Sequence, residues 1–276
     1  MSEIKASDVS KLRKSTGAGM MDCKNALAES GGDFDAAVEI LRKKGQAVAS
    51  KRSDREAGEG VVLAKVTEDN HLGAMVVVNC ETDFVAKNND FIDFAYTILD
   101  IALNNKPKDI EDMKKMKLSE KSISEAITEQ MGVIGEKIDT TYFEIIEAPF
   151  VISYIHPGNK LATLVGFSKE NIDIQLAKDI AMQVAAMNPV AIDKDNVPQN
   201  IIDQEIEIGK EQAKREGKPE ELLEKIAMGK LNKFFKESTL LNQEFIKESK
   251  KTVRQYLQEN DNELKVLDFK RYTLND

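Results

Sequence analysis

Residues 61–78 read Val61-Val62-Leu63-Ala64-Lys65-Val66-Thr67-Glu68-Asp69-Asn70-His71-Leu72-Gly73-Ala74-Met75-Val76-Val77-Val78. Two β-rich apolar runs flank the polar loop 67–73, the pattern of an antiparallel hairpin. An amphipathic helix is expected next, over about 90–103, because Phe91, Ala95, Ile98 and Ala102 recur at three- and four-residue spacing. The same order returns roughly 90 residues on, and such self-similarity marks related structural units. There Phe150-Val151-Ile152-Ser153-Tyr154-Ile155 and Leu161-Ala162-Thr163-Leu164-Val165-Gly166-Phe167 flank the turn His156-Pro157-Gly158-Asn159. A helix over about 172–187 should follow them. Between the two hairpins, Ile123, Ile127, Met131, Ile134 and Ile138 predict a helix over 122–137, closed by a strand over 142–146. The class is therefore α+β, with two related hairpin-plus-helix subdomains.

After Pro189 and Pro198 the composition becomes strongly charged. Helical patterns over 199–215 and 220–235 are broken by Gly217-Lys218-Pro219. Their apolar seams are narrow: Ile202, Ile206 and Ile208 on one, Leu223, Ile226, Ala227, Leu231 and Phe234 on the other. Two such helices joined by a tight turn should form an antiparallel hairpin that protrudes, since the remaining faces are charged. A last helix over 243–258 and a strand over 266–272 complete the chain.

Ahead of Gly60 the period is helical. Val9 and Leu12 follow the cap candidates Ser7 and Asp8, and Gly17 ends the pattern. A second helix over 21–29 should stop at Gly31-Gly32, and a third should run from Asp33 to Gly45. Three short helices have little core and suit docking better than catalysis. Residues 1–55 hold 11 basic and 8 acidic groups, whereas the rest holds 28 basic against 40 acidic. The division expected is thus 1–55 for the helical head and linker, 56–147 for the first core unit, and 148–276 for the second unit with its helical insertion at about 199–235. The basic run Arg42, Lys43, Lys44, Lys51, Arg52 and Arg55 either caps a solvated helix end or meets an acidic partner.

The 276 residues carry a net charge of −9 and 41% apolar residues, enough for real cores and unlike a disordered chain. The acidic balance argues against broad nucleic-acid binding. No run reaches the roughly 18 apolar residues of a membrane span, and MSEIKASDVSKLRK lacks the marks of a secretory signal. Cys23 and Cys80 make no disulfide framework, so a cytoplasmic setting is expected. Metal ligands are scarce: His71 and His156 are the two imidazoles, and no C-x-x-C pair exists. Neither a metal nor a cofactor is expected.

Catalytic signals are weak. Cys80 and His156 are the tempting nucleophile and base, but nothing marks a third residue to orient the imidazole. Gly17-Ala18-Gly19 is not a phosphate loop. A thiol hydrolase remains an alternative, as does a small adaptor acting through residues 1–55. A stronger candidate is Asn79-Cys80-Glu81-Thr82-Asp83-Phe84-Val85-Ala86-Lys87, at a strand-to-helix corner. Phe84 is there either a hydrophobic staple folded onto its own helix or an aromatic anchor for a partner.

Leu12-Arg13-Lys14-Ser15-Thr16-Gly17-Ala18-Gly19-Met20-Met21-Asp22-Cys23-Lys24-Asn25-Ala26-Leu27 closely resembles the N-terminal signature of bacterial elongation factor Ts. The run from Val78 to Lys87 resembles that family's second signature, and the likeness continues through His156-Pro157, Ala185-Ala186-Met187-Asn188-Pro189 and the charged helical hairpin. Val77 and Gln183 depart from the Glu and His that many members carry there. The resemblance implies a ubiquitin-associated-like head, a two-subdomain core and a coiled-coil insertion. It implies a guanine-nucleotide exchange factor, not an enzyme, that binds elongation factor Tu in its GDP and nucleotide-free forms during translation. Neither nucleic acid nor membrane is an implied partner. Thr82, Asp83, Phe84 and Val85 match the motif that dislodges the nucleotide's Mg²⁺. Lys24, Ile134, Gly135 and His156 match further contacts with elongation factor Tu.

Overall fold

The computed structural model describes residues 4–275. Its head is three helices, α1 (Ala6–Thr16), α2 (Met20–Glu29) and α3 (Phe34–Arg52), around Leu12, Cys23, Leu27 and Ala37. Gly17 ends α1 in the left-handed region, φ 71°, where a side chain would strain the backbone. Asp33 caps α3 by accepting from Ala36 N at 2.9 Å. At α1 the structure corrects the expected cap: the N-cap is Lys5, without a side-chain bond, and Ser7 and Asp8 lie inside the helix.

The first unit is β1 (Glu59–Val66), β2 (Leu72–Cys80), α4 (Asp83–Ala86), α5 (Asn89–Asn105), α6 (Ile110–Lys115), β3 (Lys117–Leu118), β4 (Lys121–Ser122), α7 (Ile123–Ile134) and β5 (Asp139–Glu147). The second is β6 (Phe150–Ile155), β7 (Leu161–Phe167), α8 (Ile174–Met187), α9 (Gln199–Arg215), α10 (Glu220–Ser238), β8 (Glu244–Phe245), β9 (Glu248–Thr252), α11 (Val253–Asn260) and β10 (Val266–Thr273). Each builds an antiparallel three-stranded sheet, ordered β1-β2-β5 and β10-β7-β6. The second strand of each hairpin is central.

The sheets pack face to face with helices outside. On β2, Ala74, Val76 and Val78 face Phe91, Ala95, Ile98 and Ile127. Met75 and Val77 point the other way, onto Val151, Ala162 and Leu164 of the second sheet. Both faces of β2 are buried, which explains its continuous apolar run in place of polar alternation. Gly73 belongs to this seam: a Cβ there would lie 2.8 Å from Val151 Cγ1 and 2.9 Å from Leu164 Cδ2. One edge strand of each sheet is bonded reciprocally by the other unit's loop. Val151 N on β6 donates to Asn70 O at 2.6 Å, and Val62 N on β1 donates to Asn159 O at 2.7 Å. Asn70 and Asn159 hold the same place in their hairpin loops, both with positive φ, so each loop satisfies the other unit's edge strand.

Several boundaries differ from expectation. Helix α3 passes through Gly45 to Arg52, because Gly45 is a crossing point and not a stop. A Cβ on Gly132 of α7 would fall 2.6 Å from Gly45 Cα, so the two backbones touch. That close packing offsets the roughly 0.5–1 kcal/mol a mid-helix glycine costs. Helix α7 is shorter than expected, since Gly135 closes it with φ 80°; Ile138 lies beyond it but is still buried. Residues 243–258 are not one helix. They form the β8-β9 hairpin followed by α11, which starts at a capping box of Thr252 and Gln255. In the α9-α10 pair the seam runs through Gly209 and Ala213 against Ala227 and Leu231. Ile208, placed on that seam from spacing, is exposed.

Candidate functional site: the corner after the second strand

Strand β2 ends at Cys80, and the chain turns through one short helix, α4, before α5 begins. Thr82 is the N-cap, its hydroxyl accepting from Val85 N at 3.4 Å. Ala86 is buried and Val85 packs against the first unit's core. Phe84, between them, is 83% exposed, the most exposed of the large apolar side chains among the described residues. The staple reading therefore fails: the corner's apolar anchors are Val85 and Ala86, and Phe84 projects into solvent.

The backbone under Phe84 is held from outside the turn. Glu136 accepts from Glu81 N at 3.1 Å and Thr82 N at 3.0 Å, and from the Thr82 hydroxyl at 2.6 Å. Glu81 returns the contact, its carboxylate accepting from Lys137 N at 2.6 Å. Glu81 also pairs with Arg52 at 2.6 Å and Arg55 at 3.3 Å, residues at and just past the end of α3. Burial opposes ionisation of Glu81, but the Lys137 N–H and the Arg52 guanidinium outweigh it and lower its pKa. Lys137 Nζ donates to Ser53 O at 2.7 Å and Arg55 O at 2.8 Å. The chain leaving the head is thereby tied to the corner.

Much of the basic run is thus spent within the molecule. Arg42 reaches Glu129 of α7 and Glu39, both at 3.1 Å, and Lys44 pairs with Asp22. Asp83 does not cap α4; it is exposed to solvent and bonds Lys87 at 2.6 Å, and that hydrogen bond lowers its pKa.

Of the other expected contacts, Ile134, Gly135 and His156 lie near the corner and Lys24 lies on the head. Ile134 and Gly135 end α7 immediately before Glu136, beside the corner. His156 is exposed in the β6-β7 turn, with its Nδ1 2.9 Å from the Tyr154 hydroxyl. Lys160 from that turn pairs with Glu59 at 2.8 Å, and Glu59 stands opposite Cys80 in the β1-β2 register, which puts the turn near the corner. Lys24 is exposed on the head, lining a shallow groove with Ile4, Val9, Arg13, Met20 and Met21. Glu136 and the Glu81 ion pairs were missed from sequence, because a lone carboxylate in an acidic chain carries no spacing signal.

Cysteine chemistry is not available at this corner. Cys80 is fully buried, and burial, with the nearby Glu136 charge, pushes its pKa up to about 12. Its Sγ donates to Thr82 O at 3.2 Å, while His156 is engaged with Tyr154. A buried thiol so far from ionising is a packing group. Among the described residues no cluster of His, Cys, Asp and Glu has the makings of a metal site, and no helix is long and apolar enough to cross a membrane. Val77 lies wholly within the inter-sheet seam, and Gln183 is buried, accepting from Ile246 N at 2.9 Å and donating to Glu244 O at 3.1 Å.

Known proteins bear on this arrangement. The family model described as Elongation factor TS matches residues 81–276. An elongation factor Ts from Porphyromonas gingivalis is 54% identical over 269 residues, 97% of either chain. One from Christiangramia forsetii is 52% identical over 276 residues, 99% of this chain and all of its own length. One from Flavobacterium psychrophilum is 50% identical over 275 residues. Likeness at that level over nearly the full length, joined to the α+β fold and the corner signature, leads to one assignment: this chain belongs to the elongation factor Ts family.

Proposed function

We propose that this chain is the guanine-nucleotide exchange factor for elongation factor Tu in translation, and that Phe84 is the wedge that displaces the nucleotide's Mg²⁺. The observation carrying this reading is a large aromatic ring held in solvent on a turn that is itself anchored by Val85, Ala86 and the Glu136 bonds. An exposed phenylalanine on a mobile loop would lose ordering entropy on binding; on a fixed turn that loss is small.

The physics is linkage. A factor that binds nucleotide-free elongation factor Tu more tightly than its GDP form weakens GDP by the same ratio. Mg²⁺ bridges the phosphates and the switch loops, so its displacement acts where nucleotide binding is electrostatically strongest. No covalent bond changes. Weakening GDP about 10⁴-fold requires roughly 5.5 kcal/mol of differential binding, whereas burying one Phe supplies about 1.5–3 kcal/mol. Other surfaces must contribute the remainder. Lys24 on the head, Ile134-Gly135 beside the corner, and His156 on the second unit are the contacts this reading gives them. Thr82 orients the turn, Val85 seats it, and Asp83, paired with Lys87, stands next to the ring as a further contact.

The finer architecture belongs to the same reading. Residues 1–55 form a ubiquitin-associated-like docking head, 56–147 the subdomain carrying the wedge, and 148–276 the subdomain meeting another domain of the partner. The α9-α10 pair projects as a coiled coil. Neither nucleic acid nor a membrane is a direct partner, and the setting is the cytoplasm.

The test pairs fluorescent-GDP release from elongation factor Tu, at saturating factor, with a denaturant melt of the free chain. Phe84→Ala should slow stimulated release roughly 10- to 200-fold and leave the melt nearly unchanged, because the ring buries little in the free protein. Normal release by a folded Phe84→Ala chain would falsify the wedge.

A further inference from the structure

Segments 81–82 and 136–137 hold each other through exchanged carboxylates. Glu136 takes both consecutive amides, Glu81 N and Thr82 N, and also the Thr82 hydroxyl. Glu81 takes the amide of Lys137. Bonds from N–H and O–H donors to an ionised carboxylate are about twice as strong as neutral ones. The donors here are the last backbone groups before the turn that carries Phe84, so their direction sets where the ring points.

We propose that Glu136 is a positioning residue for nucleotide exchange: it touches no nucleotide, but its clasp on Glu81 and Thr82 fixes the direction in which Phe84 stands. This rests on the wedge reading above. An unclasped turn would still be tethered by Val85 and Ala86, which pack on the core. The ring would then sample several directions, and fewer encounters would place it productively. Docking through the head and the second unit would be unaffected. The signature is a fall in the maximal rate at nearly constant half-saturating factor concentration.

Three variants decide it: Glu136→Ala, Phe84→Ala and the double variant, each measured for stimulated GDP release against factor concentration. Amide hydrogen exchange at Glu81 and Thr82 reports the clasp directly. Glu136→Ala should lower the maximal rate about 10-fold, leave the half-saturating concentration within about twofold, and expose both amides to exchange. Because Glu136 acts through Phe84, the double variant should be no slower than Phe84→Ala alone. Glu136→Gln retains one acceptor oxygen and should recover part of the rate; it also decides the matter should Glu136→Ala melt. If Phe84→Ala is impaired while the folded Glu136 variants release GDP normally, or if the two effects multiply in the double variant, the positioning role is wrong and the wedge stands. If Phe84→Ala itself is normal, the wedge fails first.

Discussion

The two hairpin-and-helix units follow nearly the same course, and they differ most tellingly at the junction after the central strand. In each, a hairpin leads to a long helix, then to a two-stranded ribbon, a helix with a capping box, and a third strand beside the central one. Residues 168–173 join β7 to α8 in the second unit. Its Ser168 N donates to Lys265 O, and Lys265 N to the Ser168 hydroxyl, each at 3.0 Å. Lys169 adds an ion pair to Asp261 at 2.8 Å. Residues 81–88 make the same junction in the first unit, with carboxylates in place of hydroxyl and carbonyl and with the extra turn α4. Tying this junction is thus common to both units of the fold. The added turn and its exposed ring are not, and that excess is where the function is proposed to lie. The second unit spends its own excess elsewhere, inserting the α9-α10 pair.

The largest effect should test what the units share. Met75 is fully buried between the sheets, so Met75→Ala should cost about 2–5 kcal/mol. A denaturant melt should remain a single transition, since one seam serves both units. Two separate transitions would show units that merely touch.

Next comes the difference itself. Replacing residues 81–88 by the sequence of 168–173 should still give a folded chain, weakened by about 2–3 kcal/mol for the lost Val85 and Ala86 packing. Stimulated GDP release should fall roughly 100-fold, with the wedge gone. Retained release by that chimera would locate exchange outside the corner.

The insertion of the second unit should matter less to the body. Exchanging the α9-α10 pair between Val197 and Lys236 for a short Gly-Ser loop should shift body stability by less than about 1 kcal/mol. The apolar seam of the pair is satisfied between its own helices, with Gly209 and Ala227 in close approach. An aggregating product would mean that the body leans on the arm.

The smallest effect is electrostatic and concerns the first unit's junction. The pKa of Glu81 is lowered in the folded chain, so its contribution is complete above the unfolded carboxylate value of about 4.5 and fades as pH falls through the folded value. Wild-type stability should therefore drop more steeply than that of Glu81→Gln as pH is lowered below about 4.5. Equal acid slopes in urea melts would show that the Arg52 and Lys137 bonds contribute nothing measurable.

Features written in local periodicity were legible before any coordinates. Both hairpins, the helices after them, the α9-α10 pair and the corner all rest on contacts within a few residues, and these fell into place within about three residues. Relatedness over nearly the whole length was equally legible in the two signatures. Only tertiary structure decided matters that depend on a distant neighbour. Gly45 read as a stop until Gly132 lay against it. Residues 243–258 read as one helix because the short β8-β9 ribbon carries too few residues to show a period. Whether Phe84 folds inward or stands in solvent depends on what fills the space beneath the turn, and Val85 and Ala86 already fill it. The grip on that turn comes from Glu136, more than 50 residues along the chain, and no pattern within 79–90 encodes a carboxylate so far away.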